Sequence, residues 1–376
     1  MNNRKKLGVY IHIPFCVKKC NYCDFCSFPD RDSRRVKRYV DELCTRIEGS
    51  VELRGAQVDT LYFGGGTPTL LPLELFLKLI ESVRVSASLC EDAEVTAECN
   101  PATVDLEYLR GLRGIGVNRL SIGLQSIHEK ELESLGRAHS FEDFKVTYRQ
   151  AREAGFENIS VDLMYGIPHQ TPQSFCESIE AVVKLSPEHI SAYGLKVEKG
   201  TAFYSMGDSL ILPCEDDECQ MYHSMCDNLE RAEYEKYEIS NFSRVGYESR
   251  HNLKYWQGEE YLGFGVAAHS YFCGERFGNS RDIESFLRGE NIECERYILD
   301  ENEKNDEYIM LSMRLRSGIS LSEFEMREKK DFFEAFPFAS ALVDNGYLSE
   351  RDGRVFFTHK GALVSNSILA DMLQFD

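Results

Sequence analysis

The sequence predicts an α/β protein: a partial (β/α)6 TIM-like barrel followed by a smaller, mainly helical, winged-helix-like C-terminal domain. Three observations carry that expectation. Near-continuous apolar strand patterns alternate with amphipathic helical ones through the first two-thirds of the 376 residues, as buried parallel strands with right-handed crossovers require. The unusual residues fall just after these strands, on the face where barrels of this class build their sites. Beyond about Met206 the alternation stops and helices followed by a hairpin take over.

In chain order, "LGVYIHI" reads as the first strand. Arg34 to Leu53 reads as a helix with Tyr39, Val40, Leu43 and Ile47 on one face. "VDTLYFGGG" is a second strand ending in glycines, and "LPLELFLKLIESVRVS" is a helix with Pro72 near its start. "AEVTAECNP" is a strand that stops at Pro101. "VNRLSIGLQS" is the fourth, with helical patterns to about Ala154, and "NISVDLMYGIP" and "HISAYGLKVE" are the fifth and sixth. "EDDECQMYHSMCDNLERAEYEKYEISNF" is a helix and a short strand; "HNLKYWQGEEYLGFGVAAHSYF" is dense in aromatics and glycines. We expect a barrel with its extension over residues 1–275 and a second domain over 276–376. In that second domain "RDG" turns a hairpin between helices. Winged helices often bind DNA, but this segment is not basic, so a structural or protein-contact role is expected.

The 43 basic and 62 acidic residues give a formal net charge of −19. That excludes nucleic acid as the expected partner, since nucleic-acid binders carry a basic footprint, and argues against docking on an anionic bilayer. The one basic run, "RDSRRVKR" (Arg31 to Arg38), reads as a solvated helix start. No apolar run is long enough to span a membrane, and the N-terminal segment lacks signal-peptide features. The thirteen cysteines are then expected as reduced thiols in the cytoplasm.

Four of them, Cys16, Cys20, Cys23 and Cys26, crowd the segment after the first strand. The spacing C-x3-C-x2-C is cramped for structural zinc, which favours two separated knuckles. It suits an iron–sulfur cluster, whose thiolates bind separate corners. Three ligands would leave one iron open. Zinc and simple packing stay open on spacing alone, as does a tight turn for "GGGTP" (Gly64 to Pro68).

"CVKKCNYCDF" after a strand, followed by "YFGGGTP", resembles the radical S-adenosylmethionine (SAM) superfamily. The resemblance implies that Cys16, Cys20 and Cys23 hold a [4Fe–4S] cluster, that SAM chelates the fourth iron, and that an electron from the cluster cleaves SAM to a 5′-deoxyadenosyl radical. Tyr22 fits the aromatic position before the third cysteine. The turn at Gly65, Gly66 and Thr67 would meet the methionine end of SAM. "AECNP" puts Glu98 against the ribose hydroxyls, "SIGLQS" places Gln125 similarly, and Arg137 of "LGRAHS" would face the carboxylate. "DLMYGIP" puts Asp162 and Gly166 near the adenosyl part; Tyr10 and Phe25 complete the expected cofactor contacts. In this order the motifs are similar to the oxygen-independent coproporphyrinogen oxidase and HemW-like heme chaperone family, from about residue 7 to the C-terminus. The oxidases carry a C-x2-C-x-C ending; here Phe25 stands at that place and Cys26 comes one residue late, so Cys26 is expected to be a bystander.

Within that family two features favour the chaperone branch: the oxidase's long segment before its cysteines is absent, and "HNLKYW" matches the H-N-x-x-Y-W motif associated with heme. The resemblance implies that His251, Tyr255 and Trp256 bind heme. A neutral imidazole is a good axial ligand, and Trp256 is the only tryptophan. The bland reading of the motif is a histidine and two aromatics closing the barrel bottom or the domain seam. His269 is a second candidate, and Cys219 and Cys226, seven apart on a helix, are expected in the core. The expected function is a heme chaperone that carries the cluster and SAM and delivers heme to acceptor hemoproteins. The alternative is oxidative decarboxylation of coproporphyrinogen III propionates. Expected partners are heme, its acceptors, SAM and an electron donor; a homodimer is allowed, and membrane contact would arise only at acceptors.

Overall fold

The computed structural model describes residues 6–30 and 32–373; Arg31 of the basic run lies outside them. Six parallel strands form the centre: β1 (Lys6–Ile13), β2 (Gln57–Gly65), β3 (Ser88–Cys99), β4 (Arg119–Gln125), β5 (Ile159–Tyr165) and β6 (His189–Gly194). They are hydrogen-bonded in sequence order with a helix between successive strands. Their apolar runs are buried because helices cover one face and the inward side chains pack on the other. Val9, Ile11, Leu61, Phe63, Ile122, Val161 and Ile190 are all fully buried.

The sheet does not close. β7 (Glu235–Lys236) and β8 (Asn241–Ser243) add to β6 in antiparallel fashion. On the other side β9 (Tyr261–Phe264) runs parallel to β1, and β10 (His269–Phe272), β11 (Glu275–Asn279) and β12 (Glu293–Ile298) continue antiparallel. The strand order β12-β11-β10-β9-β1-β2-β3-β4-β5-β6-β8-β7 keeps β1 and β6 apart, which is the partial barrel expected. The strands β9–β12 were not legible as strands: they are short, and β12 is exposed along its whole length. The boundary expected after residue 275 falls at the first residue of β11. Because pairing carries the sheet on to Ile298, we propose that the division lies after β12.

The helix after β1 spans Ser33–Gly49, shorter than the expected Arg34 to Leu53. Asp32 caps its start by accepting from the Arg34 N–H at 2.9 Å. It ends where Ser50 turns extended and its hydroxyl accepts from the Leu53 N–H at 3.1 Å. The expected face is buried: Tyr39, Val40, Leu43 and Ile47 are all 0% exposed, each worth about 1.5–3 kcal/mol relative to exposure. The Tyr39 hydroxyl donates to the His12 carbonyl at 3.0 Å and accepts from the Val266 N–H at 3.1 Å, tying this helix to the end of β1.

A second body has its own core of Ile309, Met313, Phe324, Phe332, Val355, Leu369 and neighbours. Helices Glu301–Ser312 and Leu321–Glu328 precede the hairpin β14 (Leu348–Arg351) and β15 (Arg354–Phe357); β13 (Ile319–Ser320) pairs with β15. Asp352 and Gly353 turn the hairpin with φ of 53° and 71°, the conformation a two-residue hairpin loop favours. This is the winged-helix-like arrangement.

One expectation fails in the helix Glu215–Arg231. Cys226 is buried, but Cys219 is exposed. The helix buries Met221, Tyr222, Met225, Cys226 and Leu229 only; Cys219 falls off that face and, with Gln220, is exposed.

Candidate functional site

Strand register places the site. Ile13 pairs with Gly65 and Phe63 with Ala97; Glu98 pairs with Ser121 and Gly123 with Asp162. The cysteine loop after β1, the glycine turn after β2 and the last residues of β3–β6 therefore emerge side by side at the C-terminal end of the sheet. They enclose a cavity of ≈ 400 Å³ lined by Cys16, Cys20, Cys23, Phe25, Gly65, Gly66, Thr67, Glu98, Gln125, Arg137 and Asp162. Of the residues expected to touch a cofactor, Gly166, which lies against Glu218, and Tyr10 are not on its wall. Tyr10 lies one layer beneath, hydrogen-bonded to His12 at 3.0 Å and stacked on Tyr62 at 6.0 Å between ring centroids.

The loop is pinned by backbone contacts. The Gly66 N–H donates to the Ile13 carbonyl and the Thr67 N–H to the Phe15 carbonyl, both at 2.8 Å. A Cβ on Gly66 would stand 2.7 Å from the Phe15 oxygen, and one on Gly65, whose φ is +109°, would meet the His12 ring at 2.4 Å. Only glycine permits this approach. His12 in turn bonds the Cys26 carbonyl at 2.8 Å, so the far side of the loop is held from below.

Each of the three loop thiols has a polar neighbour: the Thr67 hydroxyl donates to Cys16 at 3.7 Å, Arg137 Nη1 donates to Cys20 at 3.7 Å, and Cys23 lies 3.9 Å from the Ser27 hydroxyl. Burial pushes the Cys16 and Cys23 thiols up. All thirteen cysteines are free. Among the described residues no three His, Cys, Asp or Glu side chains are gathered closely enough to hold one ion. Three thiols around one cavity suit the separated corners of an iron–sulfur cluster. Cys26 points elsewhere, its sulfur 3.9 Å from the Arg281 carbonyl, and it does not line the cavity.

The opposite wall is polar. Glu98 accepts from the Tyr62 hydroxyl and the Gly65 N–H, both at 3.0 Å. Burial, opposed by those two donors, raises its pKa to about 7. Arg137 Nη2 donates to Asn100 Oδ1 at 2.6 Å and to the Gly123 carbonyl at 2.5 Å. Among the described residues its Nε has no acceptor and it has no carboxylate partner, so a cation is held ready for an anionic ligand group. Asp162 accepts from Ser121 at 2.9 Å and Ser160 at 3.2 Å. Gln125 sits at φ +71° beside a register shift between β4 and β5, which turns its backbone out of the strand. Tyr62, Asn100, Ser121, Tyr193 and Lys196 also line the cavity. Sequence reading passed over them, although they stand at the same strand ends that drew attention to Glu98 and Asp162.

The motif "HNLKYW" lies elsewhere, on helix Arg250–Trp256 at the opposite end of the barrel. The Glu94 carboxylate accepts from the Arg250 and His251 N–H groups, both at 3.0 Å. His251 is 1% exposed, and both ring nitrogens are engaged: Nδ1 with Thr60 Oγ1 at 2.8 Å and Nε2 with the Tyr255 hydroxyl at 2.8 Å. Burial lowers its pKa to about 3, so the ring is neutral. It offers no free coordination position in this conformation. It does stack on Tyr62 at 5.2 Å, and Tyr62 holds Glu98, so the motif underpins the cofactor cavity. Trp256 turns away from His251 to a separate groove against the C-terminal body, beside Tyr271, Tyr308 and Arg327. His269 is exposed and paired with Glu295 at 3.0 Å. No described helix is long and apolar enough to cross a membrane.

A cysteine loop after the first strand, a glycine turn after the second and polar strand ends around one cavity of an open barrel define a radical SAM protein. The radical SAM superfamily model matches residues 10–182, and a HemN C-terminal domain matches residues 299–364. The chain is 35% identical to the heme chaperone HemW of Bacillus subtilis, over 97% of this chain and 99% of that one. It is 33% identical to the Escherichia coli heme chaperone HemW, over 96% and 97%. The chain belongs to the HemW family. The structure of the E. coli coproporphyrinogen III oxidase HemN shares the fold, with a TM-score of 0.85 at 24% identity over 98% of this chain and 90% of that one.

Proposed function

We propose that this protein is a radical SAM heme chaperone: it holds a [4Fe–4S] cluster on Cys16, Cys20 and Cys23, binds SAM beside it, and carries heme to an acceptor hemoprotein in the cytoplasm. The observation that carries the reading is the convergence of three free thiols and a complementary polar wall on one cavity, in a chain matched from end to end by HemW heme chaperones. When bound, the cluster and SAM together supply one-electron chemistry.

The residues divide the work by their chemistry. Arg137 takes the SAM carboxylate through its unsatisfied guanidinium edge. Gly65, Gly66 and Thr67 let the backbone approach the methionine end. Glu98, presented by Tyr62 and the Gly65 N–H, accepts the ribose hydroxyls with Gln125 beside it, and Asp162 meets the adenosyl part. Phe25, 68% exposed at the loop's edge, covers the cluster from solvent. Exposed Lys18 and Lys19 give an acidic one-electron donor protein a face to dock on. Tyr10 acts from beneath, through Tyr62 and His12.

His251 and Tyr255 could take heme only if helix Arg250–Trp256 let go of Glu94 and Thr60, because the imidazole's nitrogens are both occupied. The test of the function is a titration of anaerobically reconstituted protein with hemin, followed by visible absorption, with SAM binding measured in parallel. A saturable Soret shift is expected. Absence of specific hemin binding, together with SAM-dependent conversion of coproporphyrinogen, would overturn the chaperone reading in favour of the oxidase.

A further inference from the structure

A cavity of ≈ 590 Å³ lies neither at the cluster loop nor at the "HNLKYW" helix. It opens at the seam between the barrel's far edge and the C-terminal body. Helix Glu215–Arg231 and β7–β8 form one side; β15 and the start of helix His359–Leu363 form the other. The two bodies meet beside it through the Arg316 N–H on the Tyr237 carbonyl at 3.0 Å and the bridge between Glu238 and Leu315. Its size falls within the roughly 300–1,000 Å³ of cofactor sites. Phe242, Leu315 and Phe357 give it apolar walls.

Its polar groups are of the kind an iron porphyrin needs. His359 lines the cavity, half-buried, and makes no side-chain hydrogen bond among the described residues. Burial lowers its pKa, which keeps the imidazole neutral and able to ligate. This sets it apart from His12, His189 and His251, whose ring nitrogens are all engaged. Arg314 lines the same cavity, and its Nε is a buried donor without an acceptor among the described residues. Lys236 and Arg316 stand on the wall as further cations, Arg316 already shared with Glu235 at 2.9 Å. Three carboxylates are also on the lining, Glu230, Glu233 and Glu235; Glu233 is paired with Arg244 and Glu235 with Arg316, so the propionates are assigned to the Arg314 side.

We propose that heme is carried in this seam cavity, with His359 as axial ligand and Arg314 on a propionate. The inference rests on the heme reading above and moves the site away from His251. It also suits delivery, because a ligand clasped between two bodies is released when they part. The Arg314 guanidinium lies 5.9 Å from the centre of the Trp256 ring, which places the single tryptophan just beyond the proposed site.

The test is hemin titration of the full-length, cluster-loaded protein, read by Soret absorption and by quenching of Trp256 fluorescence. Wild type, His359→Ala, His359→Met and His251→Ala are compared. We expect His359→Ala to weaken binding by about tenfold or more, the range seen when a metal site loses one supporting group, and to lose the quenching. His359→Met should recover binding with an altered Soret band, because a thioether replaces the imidazole; His251→Ala should bind as wild type does. Wild-type affinity and spectrum in His359→Ala would overturn the seam site while leaving the chaperone reading standing. Absence of saturable binding in wild type would overturn both.

Discussion

Replacing Glu98 by Gln isolates the electrostatic strain in the cofactor wall. The Glu98 carboxyl has its pKa raised from 4.5 to about 7, chiefly by burial. Between those values the folded chain holds a proton that the unfolded chain has released, so folding stability falls as pH rises through this window and is level above it. A shift of about 2.5 units corresponds to about 3 kcal/mol at pH 8, where the folded protein carries the buried charge, and about 1 kcal/mol at pH 5. Because Glu98 as a residue is half-buried, solvent screening brings the working figure at pH 8 down to roughly 2 kcal/mol. Glutamine cannot ionise, so Glu98→Gln removes that loss. Its altered hydrogen bonds to Tyr62 and Gly65 add an offset that does not depend on pH. Urea unfolding of the reduced, metal-free chain, wild type against variant at pH 5 and pH 8, gives the difference directly, since every other titrating group cancels. The variant should gain relative stability from pH 5 to pH 8. An identical difference at the two pH values would refute the claim that Glu98 is a strained carboxylate, and with it the idea that a ribose diol is recognised by a charge held ready for it.

Two further predictions concern the loop. Cys16→Ala, Cys20→Ala or Cys23→Ala should each abolish the cluster's visible absorbance after reconstitution, whereas Cys26→Ala, whose sulfur faces the Arg281 carbonyl, should keep it; normal iron content in any of the first three would remove that residue from the ligand set. Gly66→Ala should lower cluster loading and destabilise the chain by about 1–3 kcal/mol, because the added Cβ meets backbone atoms of Ile13 and Phe15 at 2.7–2.9 Å that cannot rotate away. Wild-type loading and stability would show that the loop has slack the packing does not suggest.

Much of the barrel was legible because its strands are buried on both faces and so write themselves as apolar runs. Their ends were legible too, since charged or amide residues such as Glu98, Gln125 and Asp162 have no reason to follow such a run unless they face a site. The outer strands β9–β12 were not: they are short and half-exposed, and their pairing is decided by what lies beside β1 in space. Tyr10 and Phe25 look alike as aromatics near the cysteines, yet one is beneath the cavity and the other on its rim.

The sequence by itself determined the class of fold, the three thiols at their spacing, and several of the polar strand-end residues that gather at one cavity. These are local facts, fixed by the period of a strand and the reach of a loop. Only the tertiary structure decided which groups are free to bind. "HNLKYW" looks like a ligand motif in one dimension, but Thr60 and Tyr255 occupy both nitrogens of His251. His359, which drew no attention in the sequence, faces a cavity and makes no side-chain hydrogen bond among the described residues. The physical reason is that a histidine's availability depends on its hydrogen-bond partners, and those come from strands and helices far away in the chain.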